Sequence, residues 1–112
     1  MEFDNNKPIY IQIADNICDR ILAGSFKPGA RIPSVREWGA EIGVNPNTVV
    51  RSYETLTDRK VIYNQRGIGF FVCDDAIESI QETERRKFIE EEVPLLLQRA
   101  SLLGVNLKDY IK

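Results

Sequence analysis

The sequence contains no histidine in its 112 residues. Histidine is the commonest general base and the commonest metal ligand in proteins, so its absence argues against an enzyme and against a metal site. No pair of a nucleophile with a base and no phosphate-binding loop can be identified either. We therefore expect a protein without catalytic residues, cofactors or bound metal.

Cysteines and long apolar runs are also scarce. Cys18 and Cys73 lie far apart and have no metal-binding spacing, so buried thiols are expected rather than a disulfide. No run approaches the roughly 18 uninterrupted apolar residues that would span a bilayer. The first residues, MEFDNNKP, have neither the basic nor the apolar region of a signal peptide, so a cytoplasmic protein without a membrane partner is expected.

The overall charge of −2 conceals a basic middle segment. Residues 25–70 hold seven lysines and arginines against four acidic residues, whereas the segments on both sides carry a net negative charge. A basic region between acidic ends is typical of a nucleic-acid-binding surface, although a solvated protein face would show the same surplus.

Two helices are predicted before residue 45. The first opens at Pro8, has isoleucine at every fourth position and ends at Gly24. The second is capped by Ser34, which forms the capping box S-x-x-E with Glu37, and it ends at Gly43. Gly39 lies inside the second helix, where glycine is unfavourable, so we expect close packing against a neighbouring backbone.

The third predicted helix runs from Pro46 to about Arg59 and has Asn45 as its N-cap. Helical spacing places Val49, Tyr53 and Leu56 on its inward face and Asn47, Thr48 and Arg51 on its outward face. Asparagine, proline and threonine are also simply good residues for starting a helix, but that role does not require an arginine on the same face. The tight turn before this helix indicates a helix-turn-helix.

After the third helix the apolar period changes from 3.6 to 2. The segments VIYNQ and FFV, separated by RGIG, predict a β-hairpin with Arg66 and Gly67 at its tip. A tip of this composition lets the backbone approach phosphates or the minor groove. The order of elements predicts an α+β chain, with a winged helix-turn-helix DNA-binding domain of three helices and a hairpin over residues 1–73.

The run RIPSVREWGAEIGVNPNTVVRSYETL, followed by VIYNQRGIGFFV, resembles the winged-helix domain of the GntR family of bacterial transcription regulators. The shared motifs are Ile-Pro-Ser-x-Arg, the Gly-Val turn, the Thr-Val pair and the wing Gly-x-Gly-x-Phe-Val, and they cover roughly residues 8–73. The short C-terminal extension is similar to that of the small YtrA-type subfamily. The resemblance implies DNA contacts by Arg36 and Thr48, and wing glycines at Gly67 and Gly69.

The sequence departs from the family pattern at Pro46 and Val50, where many members have arginine, and at Lys60, where glycine is common. The arginine of the third helix is Arg51 instead, so the operator sequence cannot be taken over from relatives. The predicted DNA-binding residues are Arg31, Ser34, Arg36, Asn45, Asn47, Thr48, Arg51, Arg66, Gly67 and Gly69.

The last third of the chain, residues 74–112, is predicted to be a helical dimerisation region. A helix is expected from Ala76 to Leu103, and Pro94 is expected to kink it or split it in two. Apolar residues spaced four and three apart form a heptad seam. The predicted dimerisation residues are Phe88, Ile89, Val93, Leu96, Ala100 and Leu103.

A second apolar face of the same helix comprises Leu95, Leu97 and Leu102. A small winged helix cannot cover both faces, so we expect pairing with a second copy of the chain. We also expect a short intrachain hairpin, in which Leu107, Tyr110 and Ile111 fold back. The acidic run Glu90 to Glu92 is interpreted as a solvated face rather than a metal site.

Two functions from different classes are consistent with these features. The first is a homodimeric transcription regulator, a repressor that binds a palindromic operator in double-stranded DNA; the subfamily resemblance implies an operon that encodes a transporter and the regulator itself. The second is a winged helix used only as a protein-interaction module. Salt distinguishes them, because binding that neutralises phosphates weakens steeply as salt rises. The sequence does not indicate whether a small-molecule effector exists.

Overall fold

The computed structural model describes residues 1–4 and 6–112, which form two compact units, Met1–Ile80 and Gln81–Lys112. The helices and strands are α1 (Ile9–Leu22), α2 (Val35–Ile42), α3 (Pro46–Asp58), β1 (Ile62–Gln65), β2 (Gly69–Val72), α4 (Ala76–Lys87) and α5 (Val93–Leu102). A π-helical turn (Phe88–Glu92) joins α4 to α5, and a short 3-10 helix (Leu107–Tyr110) follows α5. In the described part of the chain, no helix is long and apolar enough to cross a membrane. The predicted winged helix-turn-helix with a helical C-terminal extension is confirmed.

The core of the first unit lies between α1, α2, α3 and the hairpin. Every residue of the predicted inward face of α3 is buried, and so are the α1 isoleucines from Ile13 to Ile21. Ile9 is the exception, because it remains 47% exposed. The helix begins only at this residue, and Pro8, predicted as its first residue, is instead the N-cap.

The hairpin is extended by a segment that the sequence did not predict. β1 and β2 pair antiparallel in a register that matches Ile62 with Val72. Arg31 bridges to Phe71, and the N–H of Ile32 donates to the Phe70 carbonyl at 2.9 Å. The connector SFKPGARIP carries turn signals but no alternation of apolar residues, so its pairing with β2 could not be recognised from the sequence.

The start of α2 confirms the predicted capping box. The Glu37 N–H donates to the Ser34 hydroxyl at 3.1 Å, and the Ser34 N–H donates to the Glu37 carboxylate at 3.2 Å. The second of these bonds holds the pKa of the Glu37 carboxyl below its ordinary value. The close packing expected at Gly39 is also confirmed, since a Cβ there would lie 2.7 Å from the Val44 carbonyl oxygen. Glycine at this position therefore lets α2 approach the turn that leads into α3.

The end of α3 places a lysine in a conformation that favours glycine. The N–H of Lys60 donates to the Thr57 carbonyl at 3.0 Å, and that of Val61 donates to the Leu56 carbonyl at 2.9 Å. These two bonds form a Schellman motif, in which the residue after the C-cap is left-handed. Lys60 accordingly has a φ of 61°.

Replacing Lys60 by glycine is expected to raise the free energy of unfolding by about 0.5–1 kcal/mol. The left-handed conformation costs about 1–2 kcal/mol for a residue with a Cβ, and the greater freedom of glycine in the unfolded chain offsets part of this gain. Denaturant titration measures the change. Lys60→Ala is the control, because it removes the charge but keeps the Cβ. Equal stabilisation by both substitutions would show that charge, not backbone strain, is responsible.

In the second unit, the interruption expected at Pro94 takes the form of a π-helical turn rather than a break. The N–H of Val93 donates to the Phe88 carbonyl, five residues earlier. A proline lacks an N–H and collides with the carbonyl four residues before it in an α-helix. The wider turn directly before Pro94 accommodates both effects, so the helical conformation continues into α5.

The second unit leaves most of its large apolar side chains exposed. Leu96 is 54% exposed, and the exposed set also comprises Phe88, Ile89, Leu95, Leu97, Leu102 and Leu103. Ala100 differs from the rest of the predicted seam because its own chain buries it to 8% exposure, and Val93 is half-buried. The expected fold-back is wrong for Tyr110 and Ile111, which are exposed, while Leu107 is half-buried. The 3-10 helix is only four residues long, which is too short for the second arm of a hairpin.

Candidate nucleic-acid interface

The beginning of α3 presents a polar face opposite the core. Asn45 caps the helix, and its side-chain oxygen accepts the N–H of Asn47 at 2.8 Å. Asn47 and Arg51 are exposed, whereas Thr48 is half-buried. The capping bond uses the Asn45 oxygen to fix the start of the helix, so the exposed amide of Asn47 lies in a defined position at the surface.

Arg51 is held by an aromatic ring that the sequence did not single out. Its guanidinium carbon lies 4.1 Å from the centroid of the Tyr10 ring in α1. The same part of α1 is tied to α3, because the Ser52 hydroxyl donates to the Tyr10 carbonyl at 2.7 Å. Stacking on an aromatic face restricts a flexible arginine while leaving its N–H groups available. The only sequence signal for this contact is an aromatic residue beside the isoleucine stripe of α1.

Arg36 and the start of α3 line one concave surface of about 530 Å³. Its lining comprises Val35, Arg36, Asn45, Pro46, Asn47 and Val50. The helix-turn-helix therefore brings Arg36 of α2 and Asn47 of α3 to the same concavity. Ser34, which was predicted to bind DNA, lies one residue before α2, where its hydroxyl accepts the capping hydrogen bond.

The entry to α2 is fixed to α3 by Tyr53. The Tyr53 hydroxyl donates to the Pro33 carbonyl at 2.7 Å, and its ring makes an edge-to-face contact with Phe70 at 5.0 Å between centroids. Burial raises the pKa of the Tyr53 hydroxyl, so this group remains a protonated donor throughout the physiological range. One buried residue of α3 thus sets the position of the α2 entry that carries Arg36.

The wing carries Arg66 and Gly67 at its exposed tip, as predicted. The backbone of Gly69 packs closely against a side chain of the same unit. A Cβ on this residue would lie 2.8 Å from Nε of Arg31, so the guanidinium of Arg31 occupies the space beside the Gly69 backbone. Both residues were predicted as site residues, but their contact was not, because it depends on the unpredicted pairing of the Arg31 segment with β2.

One basic residue of the middle segment lies away from this surface. Arg59, at the end of α3, has its guanidinium 3.6 Å from the Asp15 carboxylate of α1. Lys7 approaches the same carboxylate at 3.3 Å. Exposed ion pairs of this kind contribute little to stability. Arg59 is the C-cap of α3, so it offers a positive charge at the end of the helix opposite the Asn45 cap.

Replacing Arg66 by alanine is expected to lower the salt dependence of DNA affinity by about one unit in the slope of log affinity against log salt. Arg66 is exposed at the wing tip, where one guanidinium can neutralise one phosphate. Arg66→Lys keeps the charge and is expected to keep the slope. Fluorescence anisotropy titrations of one labelled duplex at several salt concentrations measure both variants. An unchanged slope in Arg66→Ala would mean that the residue is only a solvated part of the turn.

The chain is similar to known bacterial transcription regulators. The profile of the family "Bacterial regulatory proteins, gntR family" matches residues 9–72. The HTH-type transcriptional repressor YtrA of Bacillus subtilis (strain 168) is 35% identical over 104 residues, which cover 93% of this chain and 79% of that protein. A crystal structure of a GntR-family transcriptional regulator from Bacteroides thetaiotaomicron is 47% identical and superposes with a TM-score of 0.80, covering 92% of this chain and 89% of that one. The DNA-binding domain of AraR, solved in complex with operator ORR3, is 26% identical and has a TM-score of 0.59, covering 65% of this chain and 88% of that one.

Proposed function

The chain belongs to the GntR family of bacterial regulatory proteins, in its YtrA-type subfamily, and we propose that it is a repressor that binds an inverted-repeat operator as a homodimer. Members of the family are DNA-binding transcription regulators and not enzymes. We assign operator binding to residues 1–73 and dimerisation to residues 74–112. The repressor assignment is supported by the similarity to YtrA, which is itself named a transcriptional repressor.

The observation that carries the DNA-binding proposal is the concavity shared by α2 and the start of α3. It is lined by the basic residue Arg36 and the amide residue Asn47, together with the apolar residues Pro46 and Val50. Base edges in the major groove are read by these kinds of groups: charged or amide donors and acceptors for hydrogen bonds, and apolar contacts for methyl groups. Arg51 and Arg66 add exposed positive charges suited to phosphates or further bases.

The dimer proposal is supported by the exposed leucines of α5. Four leucines of the ten-residue α5 are exposed in a single chain, and so is Leu103 directly after it. Contiguous apolar surface of this kind marks an interaction site. Homodimers with two-fold symmetry are the commonest oligomers, and two symmetric helix-turn-helix units read an inverted repeat. A second copy of the chain is therefore the partner proposed for this face.

Selecting bound fragments from random and genomic DNA with the purified protein tests the proposal. We expect an enriched site with two inverted half-sites about one helical turn, or a multiple of it, apart. Its location upstream of genes would identify the repressed operon. Failure to enrich any sequence would contradict sequence-specific regulation and favour a winged helix that binds only proteins. An enriched site without internal symmetry would contradict the two-fold dimer.

A further inference from the structure

Val50 is an apolar residue exposed on the surface assigned to DNA. It is 36% exposed, lies one helical turn after Asn47 and forms part of the 530 Å³ concavity. It also lines a neighbouring concavity of about 370 Å³ together with Phe70 of the wing. The side chain thus stands between two depressions of the surface, and it is not needed to fill the core.

Within α3, the chemistry for reading guanine is confined to one edge of the helix, while Arg36 lines the same concavity from α2. Arginine or lysine reads guanine by donating to its O6 and N7 atoms. Arg51 is the only lysine or arginine in the sequence of α3, and its guanidinium stacks on Tyr10 toward α1. The part of α3 that carries Pro46, Asn47 and Val50 therefore holds one amide and two apolar side chains, with no cation.

These groups match the major-groove edge of an A·T base pair. Adenine presents an acceptor at N7 and a donor at N6, which a carboxamide can bind in a bidentate manner, and thymine presents a C5-methyl group, which binds apolar side chains. Asn47 and Val50 are three residues apart, so they lie on the same helix face one above the other. The spacing places the amide and the two valine methyls where neighbouring base pairs could be read together.

We propose that Asn47 reads an adenine and Val50 a thymine methyl group in each half-site, so that α3 specifies adjacent A·T base pairs. The inference rests on the proposed function, because it assigns the specificity of the same surface. It predicts a half-site with A·T pairs at the positions that face the beginning of α3, where a family member with arginines would select guanine.

A double-mutant cycle between protein and DNA tests the contact of Val50. Each thymine of the selected operator is replaced in turn by deoxyuridine, which lacks only the C5-methyl group. One replacement in a single half-site is expected to weaken binding of the wild-type protein about fourfold, as follows from about 0.8 kcal/mol for burying one such group and about 1.4 kcal/mol per tenfold in affinity. Val50→Ser removes the valine methyls. The affinity of this variant is therefore expected to be nearly the same for the thymine duplex and for the deoxyuridine duplex.

Two controls separate a lost contact from a lost fold. Val50→Thr keeps one methyl group and is expected to retain part of the deoxyuridine effect, while thermal melts of both variants monitor folding. A selected operator whose affinity is insensitive to deoxyuridine at every thymine would overturn this inference and leave the proposed function standing. A deoxyuridine effect of equal size in Val50→Ser would also overturn it. If no specific operator can be selected, the proposed function itself fails, and this inference with it.

Discussion

Replacing Leu96 by glutamate is expected to convert the protein to a monomer and to lower its operator affinity by about a hundredfold or more. Leu96 is 54% exposed in the single chain and belongs to the apolar side chains of α5 assigned to the dimer. A carboxylate facing an apolar partner would lose its hydration without gaining a hydrogen bond, which costs several kcal/mol of association free energy.

The loss of affinity follows from the loss of linkage between two half-sites. A single winged helix contacts only a few base pairs, whereas in a dimer the first binding event holds the second domain at a high effective concentration near its half-site. The winged helix itself is expected to remain folded in the Leu96→Glu protein, because its core lies within Met1–Ile80.

Gln98→Glu provides the matched control for this experiment. It adds the same charge to the same helix, at an exposed position on the side of α5 opposite Leu96 by helical spacing. Sedimentation velocity is expected to show a monomer for Leu96→Glu and a dimer for Gln98→Glu. If the Leu96→Glu protein sediments as a dimer and binds normally, the dimer interface lies elsewhere.

Replacing Arg36 or Arg51 by alanine is expected to lower operator affinity by about 1–3 kcal/mol each, without unfolding the protein. Both side chains are exposed, one in the first turn of α2 and the other on α3. If Arg51 reads a guanine, its loss relaxes one position of the site; if it binds a phosphate, affinity falls evenly across sequences. Repeating the selection with each variant distinguishes these two outcomes.

Arg59→Ala is the control for the charge removed by these substitutions. It removes a positive charge from the end of α3, but this guanidinium is directed toward Asp15 of α1. We expect a much smaller loss of affinity, mostly from the weaker long-range attraction of DNA. Losses of equal size in all three variants would indicate general attraction to DNA rather than specific contacts at the candidate interface.

The sequence predicted the elements of the winged helix because each has a local signal. The capping box at Ser34, the proline that follows Asn45 and the change of period after α3 depend on residues only a few positions apart, and the structure confirms all three. Gly39 could be interpreted for a similar reason, since a glycine inside a helix is unfavourable unless a neighbouring backbone approaches.

The contacts that the sequence could not predict join residues far apart in the chain. Arg51 on Tyr10, Arg31 on Gly69 and the hydrogen bond from Tyr53 to Pro33 each depend on how distant segments pack. In the second unit, the regular helical spacing of apolar residues around Pro94 did not predict the π-helical turn. It also did not predict that Ala100 is buried by its own chain. The sequence therefore predicts which residues form the candidate site, but not the contacts that hold them in position.

The ratio between affinity for the selected operator and affinity for a scrambled duplex of the same length tests the central claim most directly. Both duplexes carry the same phosphates, so general electrostatic attraction contributes equally to each, and the ratio isolates the reading of bases. Measured by anisotropy at one physiological salt concentration, the ratio is expected to be about a thousandfold or more, as for specific protein–DNA complexes in general. A ratio within a few fold of one would contradict a sequence-specific regulator.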